Sequence, residues 1–259
     1  MGCGQTVNNV IRDHYKSFAE LQQGLRESNV ESMKLVIGFD FSKSNEWTGE
    51  KSYGKHLHGV DYLNPYLHAL QVLEPVIKHF DDDLIIPSFR FGCVDTRNST
   101  VLPLLYPHRE DPHFQGFDEL KKAYYEAIKF VKLSGPTSFN PIIQQAIEIH
   151  KAYQSKQLIF LLILTDGDVD SVKLDKKSIF EAASYPISIC VLGLGDGPFD
   201  KMEEFDDMKG RIFDNFQFVN FTELEKNVAK MECPDLELAT HVFQELPLQV
   251  LQMRKAGLL

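Results

Sequence analysis

The sequence predicts an α/β protein built on an open, mostly parallel twisted sheet with helices on both faces. Two observations predict it. Continuous apolar runs of strand length recur at residues 35–39, 158–164 and 187–192, the signature of strands buried on both faces. Segments of helical periodicity lie between them, so strands and helices alternate along the chain. The composition agrees: 43% of the 259 residues are apolar and 25% are charged, which suits one globular unit with a sizeable core.

Each element follows from local chemistry. Residues 7–33 are polar, with a helical stretch around Phe18, Leu21 and Leu25. The first apolar run ends at Asp40. Asn64 and Pro65 are N-cap and first-turn residues of a helix that Leu67, Leu70, Leu73, Val76, Ile77 and Phe80 continue, with Pro75 as a kink point. Residues 84–91 read as the next strand, and Pro87 places it near a strand start or at an edge. A short strand is expected within residues 100–105. Residues 117–131 and 141–153 are amphipathic helices. Residues 158–164 form the most hydrophobic strand. A helix over 174–183, a strand over 187–192, a short strand over 216–219 and helices from 222 to about 254 complete the pattern. No linker composition or repeat divides it, so one domain is expected over residues 10–259, ending in a helical extension, behind a flexible terminus of residues 1–9.

Charge and cysteines narrow the function. With 27 Lys plus Arg against 37 Asp plus Glu, the net charge is −10, and no basic block offsets it, so nucleic acid is not an expected partner. No apolar run is long enough to span a bilayer, and the N-terminus has no hydrophobic stretch of the secretory kind. Cys3, Cys93, Cys190 and Cys233 are far apart and form no zinc-type pair; Cys93 and Cys190 lie in apolar runs and read as buried thiols. A reducing, cytoplasmic location is expected.

The first residues carry a signal. Gly2 and Thr6 fit the M-G-x-x-x-[ST] pattern of N-myristoylation, and Cys3 is placed for a second acyl chain. One chain binds a membrane marginally and two bind it stably, so the pair predicts tethering to the cytosolic face of a membrane. The alternative is a flexible terminus that matches by chance.

In open α/β sheets, ligands sit beyond the carboxyl ends of the strands. Asp40, Ser42 and Ser44 follow the first strand. Thr165, Asp166, Gly167 and Asp168 follow the strongest one. Between them, ahead of the Pro141 helix, lie Ser134, Gly135, Pro136, Thr137 and Ser138. Each alone is an ordinary turn sequence. Together they are carboxylates and hydroxyls at strand ends, a hard oxygen set that suits Mg²⁺, Mn²⁺ or Ca²⁺.

Asp40-Phe41-Ser42-Lys43-Ser44 resembles the D-x-S-x-S motif of von Willebrand factor A-type domains. Gly135-Pro136-Thr137 and Thr165-Asp166-Gly167 resemble the second and third loops of that family's metal-ion-dependent adhesion site. The resemblance implies that Asp40, Ser42, Ser44, Thr137 and Asp166 hold a divalent cation, directly or through water. Residues 39–49, 195–199 and 214–221 further resemble the copine A domain and its relatives in plant RING-type ubiquitin ligases. The two C2 domains of copines and the RING cysteines of the plant ligases have no counterpart in this sequence. Calcium-dependent membrane docking and intrinsic ligase activity are therefore not expected to carry over.

Other chemistry fits poorly. Asp166, Asp168 and Asp170 imitate half an EF-hand loop, but Ser171 and Lys177 stand where its glycine and glutamate belong. Residues 193–197 lack dinucleotide-loop spacing and read as a tight strand-to-helix connection. His56-x-His58 reads as a surface loop, and Asp81-Asp82-Asp83 as a solvated one. The expectation is a non-enzymatic, metal-dependent protein-binding module, a membrane-tethered adaptor in signalling or trafficking whose partner supplies an acidic side chain to the ion. The alternatives are a metal-dependent phosphoester enzyme and a scaffold with a purely structural metal.

Overall fold

The structure, a computed structural model, describes residues 14–153, 157–167 and 169–259. Among these residues the expected strands form one mostly parallel sheet. β1 (Met33–Asp40), β2 (Ile85–Phe91), β5 (Leu158–Thr165), β6 (Ile187–Gly193) and β7 (Phe216–Asn220) are its parallel strands. With β3 (Leu102–Pro103) at the edge, the order is β3-β2-β1-β5-β6-β7. β3 and β4 (His113–Gln115) pair with β2 antiparallel on its outer edge.

Alternating side chains of each central strand face two separate cores, which is why the strands read as unbroken apolar runs. Leu35, Ile37 and Phe39 of β1 and Phe160, Leu162 and Leu164 of β5 face the larger core. There they meet α1 (Phe18–Glu27), α2 (Pro65–Phe80), α3 (Gly116–Phe130), α7 (Phe221–Val228), α8 (Pro234–Val242) and α9 (Leu246–Lys255). Val36, Ile159, Leu161 and Ile163 face the smaller core, against α4 (Asn140–Tyr153), α5 (Val172–Ala182) and α6 (Asp200–Asp206).

Local signals decide the helix ends. Ser17 accepts from the Glu20 amide at 3.2 Å, and Asn64 accepts from the Leu67 amide at 3.0 Å, so both act as N-caps. Pro75 lies inside α2 without ending it.

Several expectations are corrected. The strand expected within 100–105 shrinks to Leu102–Pro103. β4 and α6 have no sequence signal: three and seven residues are too short to show a period. The Asp81–Asp83 segment is not simply solvated. Asp81 is buried, accepts from the Leu35 and Leu84 amides at 3.1 Å each, and pairs with the buried Lys34 ammonium at 3.5 Å. Asp83, which is exposed, also binds Lys34. Cys93 and Cys190 are buried as expected, and both thiols are free.

The strand order sets the site. From β1 the chain runs outward to β2, then returns to place β5 on the other side of β1. The connections on either side of β1 thus leave in opposite directions, and a crevice opens beyond its carboxyl end. β1 ends in Asp40 and β5 in Thr165, so both candidate loops start at this point.

Candidate functional site

Three loops converge at the crevice. The first leaves β1 at Asp40, and its amides turn back on the carboxylate: the Ser42 N–H donates to Asp40 Oδ1 at 2.8 Å. A short 3₁₀ turn, Lys43–Glu46, then holds Ser44 beside Ser42, with their hydroxyls 3.0 Å apart. Asn45 Nδ2 donates to the Ser42 carbonyl at 3.1 Å, which fixes the turn from within.

The third loop leaves β5. Asp166 Oδ1 accepts from Ser42 Oγ at 3.3 Å, and Oδ2 accepts from Thr48 Oγ1 at 2.9 Å. The second loop closes the ring. The Lys43 N–H donates to the Ser134 carbonyl at 2.5 Å, and Ser42 and Ser134 form a bridge. The Thr137 N–H donates to Asp170 Oδ2 at 2.7 Å, while the Asp170 N–H donates to the Thr137 carbonyl at 2.8 Å.

Hydrogen bonds join Asp40, Ser42, Ser44 and Asp166, and Thr137 borders the same depression as Ser42 and Ser44. Ser42, Ser44 and Thr137 line an open depression of about 520 Å³ that Trp47, Ser134 and Asp170 also border. Asp40 and Asp166 are buried, 0% and 1% exposed. Gly2 and Cys3 lie outside the described residues, as does Asp168.

The electrostatics are those of an unbalanced pair. Burial, then the charge of Asp166, pushes the Asp40 carboxyl up to about 8. Burial likewise raises Asp166, against the lowering hydrogen bonds of Ser44, Thr48 and Ser42. No basic side chain is among the principal influences on either. Two facing carboxylates without a counter-charge fit a divalent cation. Among the described residues no three His, Cys, Asp or Glu side chains gather to hold a metal. The donor set is two carboxylates and hydroxyls, which fits a hard cation and not zinc.

Sequence reading placed Thr165 among the oxygen-bearing residues at a strand end but missed the support it gives, and it missed Gly92 and His58 as supports altogether. Thr165 Oγ1 donates to Asp40 Oδ2 at 2.6 Å and accepts from the Gly167 N–H at 3.2 Å. Gly92, at φ +73°, packs its backbone on the cradle: a Cβ there would stand 2.8 Å from Asp40 Oδ1. His58 is not on a surface loop. It is 6% exposed and stacked between Phe41 and Tyr66, at ring-centroid distances of 4.6 and 4.3 Å. Its Nε2 is 2.9 Å from the Asp40 carbonyl and its Nδ1 is 2.7 Å from the Tyr124 hydroxyl. A carbonyl only accepts, so Nε2 carries the proton and Nδ1 accepts from Tyr124. Burial pushes the imidazole down to about 3, so it stays neutral. Tyr66 donates to Asn45 Oδ1 at 2.7 Å and to the Asp40 carbonyl at 3.1 Å. Thr165, Gly92 and His58 are far from Asp40 in the chain, and no spacing rule links them to it.

The glycine-rich 193–197 segment is the connection that was expected. It joins β6 to α6, and the Asp196 N–H donates to the Thr48 carbonyl at 2.5 Å. Asp196 also accepts from the Lys51 amide at 2.9 Å, so it braces the first loop.

A family model described as Copine matches residues 56–259. E3 ubiquitin-protein ligase RGLG3 of Arabidopsis thaliana is 40% identical over 92% of this chain, which spans 68% of that protein. E3 ubiquitin-protein ligase RGLG5 of the same plant is 38% identical over 96% of the chain, here 60% of the relative's length. Among solved structures, the manganese-loaded TRAP protein of Plasmodium vivax superposes with a TM-score of 0.50 at 14% identity, covering 77% of this chain and 72% of its own, a likeness of fold. The relatives correct one expectation. Proteins named as enzymes match nearly the whole chain, so the exclusion of an enzymatic role does not stand. That exclusion rested on the lack of any counterpart in this sequence to the RING cysteines of the plant ligases.

Proposed function

The chain belongs to the copine family, whose domain is of the von Willebrand factor A type, and on that premise we propose that it captures protein partners through a divalent cation. Asp40, Ser42, Ser44, Thr137 and Asp166 would hold Mg²⁺, Mn²⁺ or Ca²⁺, directly or through water. The observation that carries this reading is the buried Asp40–Asp166 pair beneath a solvent-open ring of hydroxyls.

The residues divide the work. Asp40 and Asp166 supply the negative charge, and their burial excludes competing water. Ser42, Ser44 and Thr137 donate neutral oxygens at the mouth, so they bind without neutralising further charge. A bound divalent cation supplies residual positive charge and an open position for an oxyanion. Thr165, Thr48 and the Ser42 amide hold the carboxylate orientations through the hydrogen bonds described. A partner's Asp or Glu side chain completes the site from the depression. Kinship with proteins named ubiquitin-protein ligases supports a protein as the captured ligand, since such enzymes act on proteins.

We extend the proposal to a membrane-tethered adaptor role through acylation of Gly2 and Cys3. Among the described residues no helix is long and apolar enough to cross a membrane. Intact-mass and peptide mass spectrometry of the protein from eukaryotic cells tests the acylation; an unmodified Gly2 and Cys3 sinks it.

The cation reading is tested by calorimetric titration with Mn²⁺, Mg²⁺ and Ca²⁺ of the wild-type protein and of Asp40→Ala. Binding to the wild type and its loss in a folded variant are expected. Equal binding by both proteins defeats the assignment.

A further inference from the structure

The oxygen-bearing residues of the cradle are not all held alike. The carboxylates of Asp40 and Asp166 and the hydroxyls of Ser42 and Ser44 each take part in a hydrogen bond that orients the side chain itself. Thr137 is the exception. Among the described residues its hydroxyl has no partner, and only its backbone is bonded. The place of Thr137 at the depression is therefore set by whatever holds the backbone of the second loop.

Two carboxylates from the segment after β5 hold it. Asp170 exchanges bonds with the Thr137 backbone, as described. From the first turn of α5, Asp175 grips the next residues: its Oδ1 accepts from Ser138 Oγ at 2.6 Å and from the Asn140 N–H at 2.8 Å. Asp175 and Ser138 are both 0% exposed. Capping the start of α4 needs no buried carboxylate, because an exposed cap leaves its second oxygen in water. Asp175 Oδ2 is instead buried without a hydrogen-bond partner among the described residues. Such an orphaned oxygen costs stability, which marks Asp175 as a group kept for the position it enforces.

We propose that Asp175 is a positioning residue for the cation site: from α5 it locks the second loop through Ser138 and so sets Thr137 at the cradle. This rests on the cation reading proposed above and adds a residue that acts on the ion only through another. Loss of the Asp175 bond frees the backbone that aims the Thr137 hydroxyl, and no bond of that hydroxyl remains to restore it.

The test is a double-mutant cycle on the full chain, read by calorimetric titration with Mn²⁺. Thr137→Val, which keeps the shape of the side chain, is expected to weaken Mn²⁺ binding. Asp175→Ala is expected to weaken it about tenfold, as for other groups that orient a ligand. The double variant is expected to bind no worse than the weaker single one, because a misplaced Thr137 has nothing left to lose. Asp175→Asn keeps an acceptor oxygen for Ser138 and is expected to recover affinity to within about threefold of the wild type. Leu21→Ala, in the core on the other face of the sheet, is expected to lower stability and leave Mn²⁺ affinity unchanged, which separates positioning from general loosening. Losses that add in full, no recovery in Asp175→Asn, or an Asp175→Ala protein that is less stable yet binds Mn²⁺ like the wild type would each reduce Asp175 to a helix cap and overturn this inference, with cation binding left standing. If Asp175→Ala does not fold, Ser138→Ala removes the same bond from the loop side and enters the cycle in its place. A wild-type protein that binds no Mn²⁺, or binds it equally well after Asp40→Ala, overturns the cation reading and this inference with it.

Discussion

The Thr165 hydroxyl donates to Asp40 Oδ2 at 2.6 Å, tying the last residue of β5 to the last residue of β1. The bond spans 125 residues of chain and orients a carboxylate whose other oxygen is held by the Ser42 amide. Thr165→Val removes it while keeping the shape of the side chain. Cation affinity is expected to fall about tenfold, as for other groups that orient a ligand without touching the ion. Calorimetric titration with Mn²⁺ measures it, and unchanged affinity would remove Thr165 from the site.

Relief of like charge gives a prediction of opposite signs. Asp40→Asn removes one of two buried, facing carboxylates. The cation-free protein is expected to gain about 1 kcal/mol or to hold its stability, while stabilisation by added Mn²⁺ disappears. Urea denaturation in chelator and in excess Mn²⁺ separates the two effects. A variant destabilised in chelator by several kcal/mol would show that the pair is not a strained one.

The same pair sets a pH dependence. Asp40 has its folded pKa at about 8 against 3.8 for the free side chain, so between those values the folded state holds a proton that the unfolded state has released. Stability of the cation-free protein is thus expected to fall as pH rises from about 4 towards 8, by at most about 1.4 kcal/mol per pH unit from this one group. Saturating cation replaces the proton and should flatten the slope. Denaturation at pH 5, 6, 7 and 8 in chelator is the measurement, with a slope that Asp40→Asn leaves intact as the contrary result.

Gly92 carries a steric prediction. Its φ is +73°, and a Cβ on it would approach Asp40 Oδ1 to 2.8 Å, which leaves no room for alanine. Gly92→Ala is expected to cost roughly 1–3 kcal/mol and to weaken Mn²⁺ binding as the carboxylate is displaced. Thermal unfolding and titration together check it; full stability with full affinity would contradict the packing.

His68 offers a control remote from the cradle. Its Nδ1 is 2.7 Å from Glu225 and its Nε2 is 3.2 Å from Asp235, which joins α2 to α7 and α8. Burial alone would lower this pKa, but Glu225 and then Asp235 raise it above 6.5. The contribution is fully present below the unfolded value of 6.5 and lost as pH rises through the raised folded value. His68→Gln is expected to lower stability by about 1 kcal/mol or less at pH 6, because the group is partly exposed, and by less at pH 9. Equal effects at both pH values would sink the ion-pair account.

Much of the fold was legible because local chemistry repeats. Apolar runs buried on both faces and N-caps such as Asn64 marked the central strands and the start of α2. Asp40, Ser42, Ser44, Thr137 and Asp166 stood out by lying just past strand ends or ahead of a helix. Short elements escaped, since β4 and α6 contain too few residues for a period. Asp81 looked like part of a solvated acidic run, yet the fold buries it on Lys34.

By itself the sequence determined which segments become strands and helices and which oxygen-bearing residues stand at their ends, because those properties depend on neighbours a few positions away. Only the tertiary structure decided that β5 returns to lie beside β1, that Asp40 and Asp166 become a buried pair, and that Thr165, Gly92 and His58 shape their surroundings. The reason is that pairing and burial arise between residues scores of positions apart, and periodicity carries no record of which distant strand will be the neighbour.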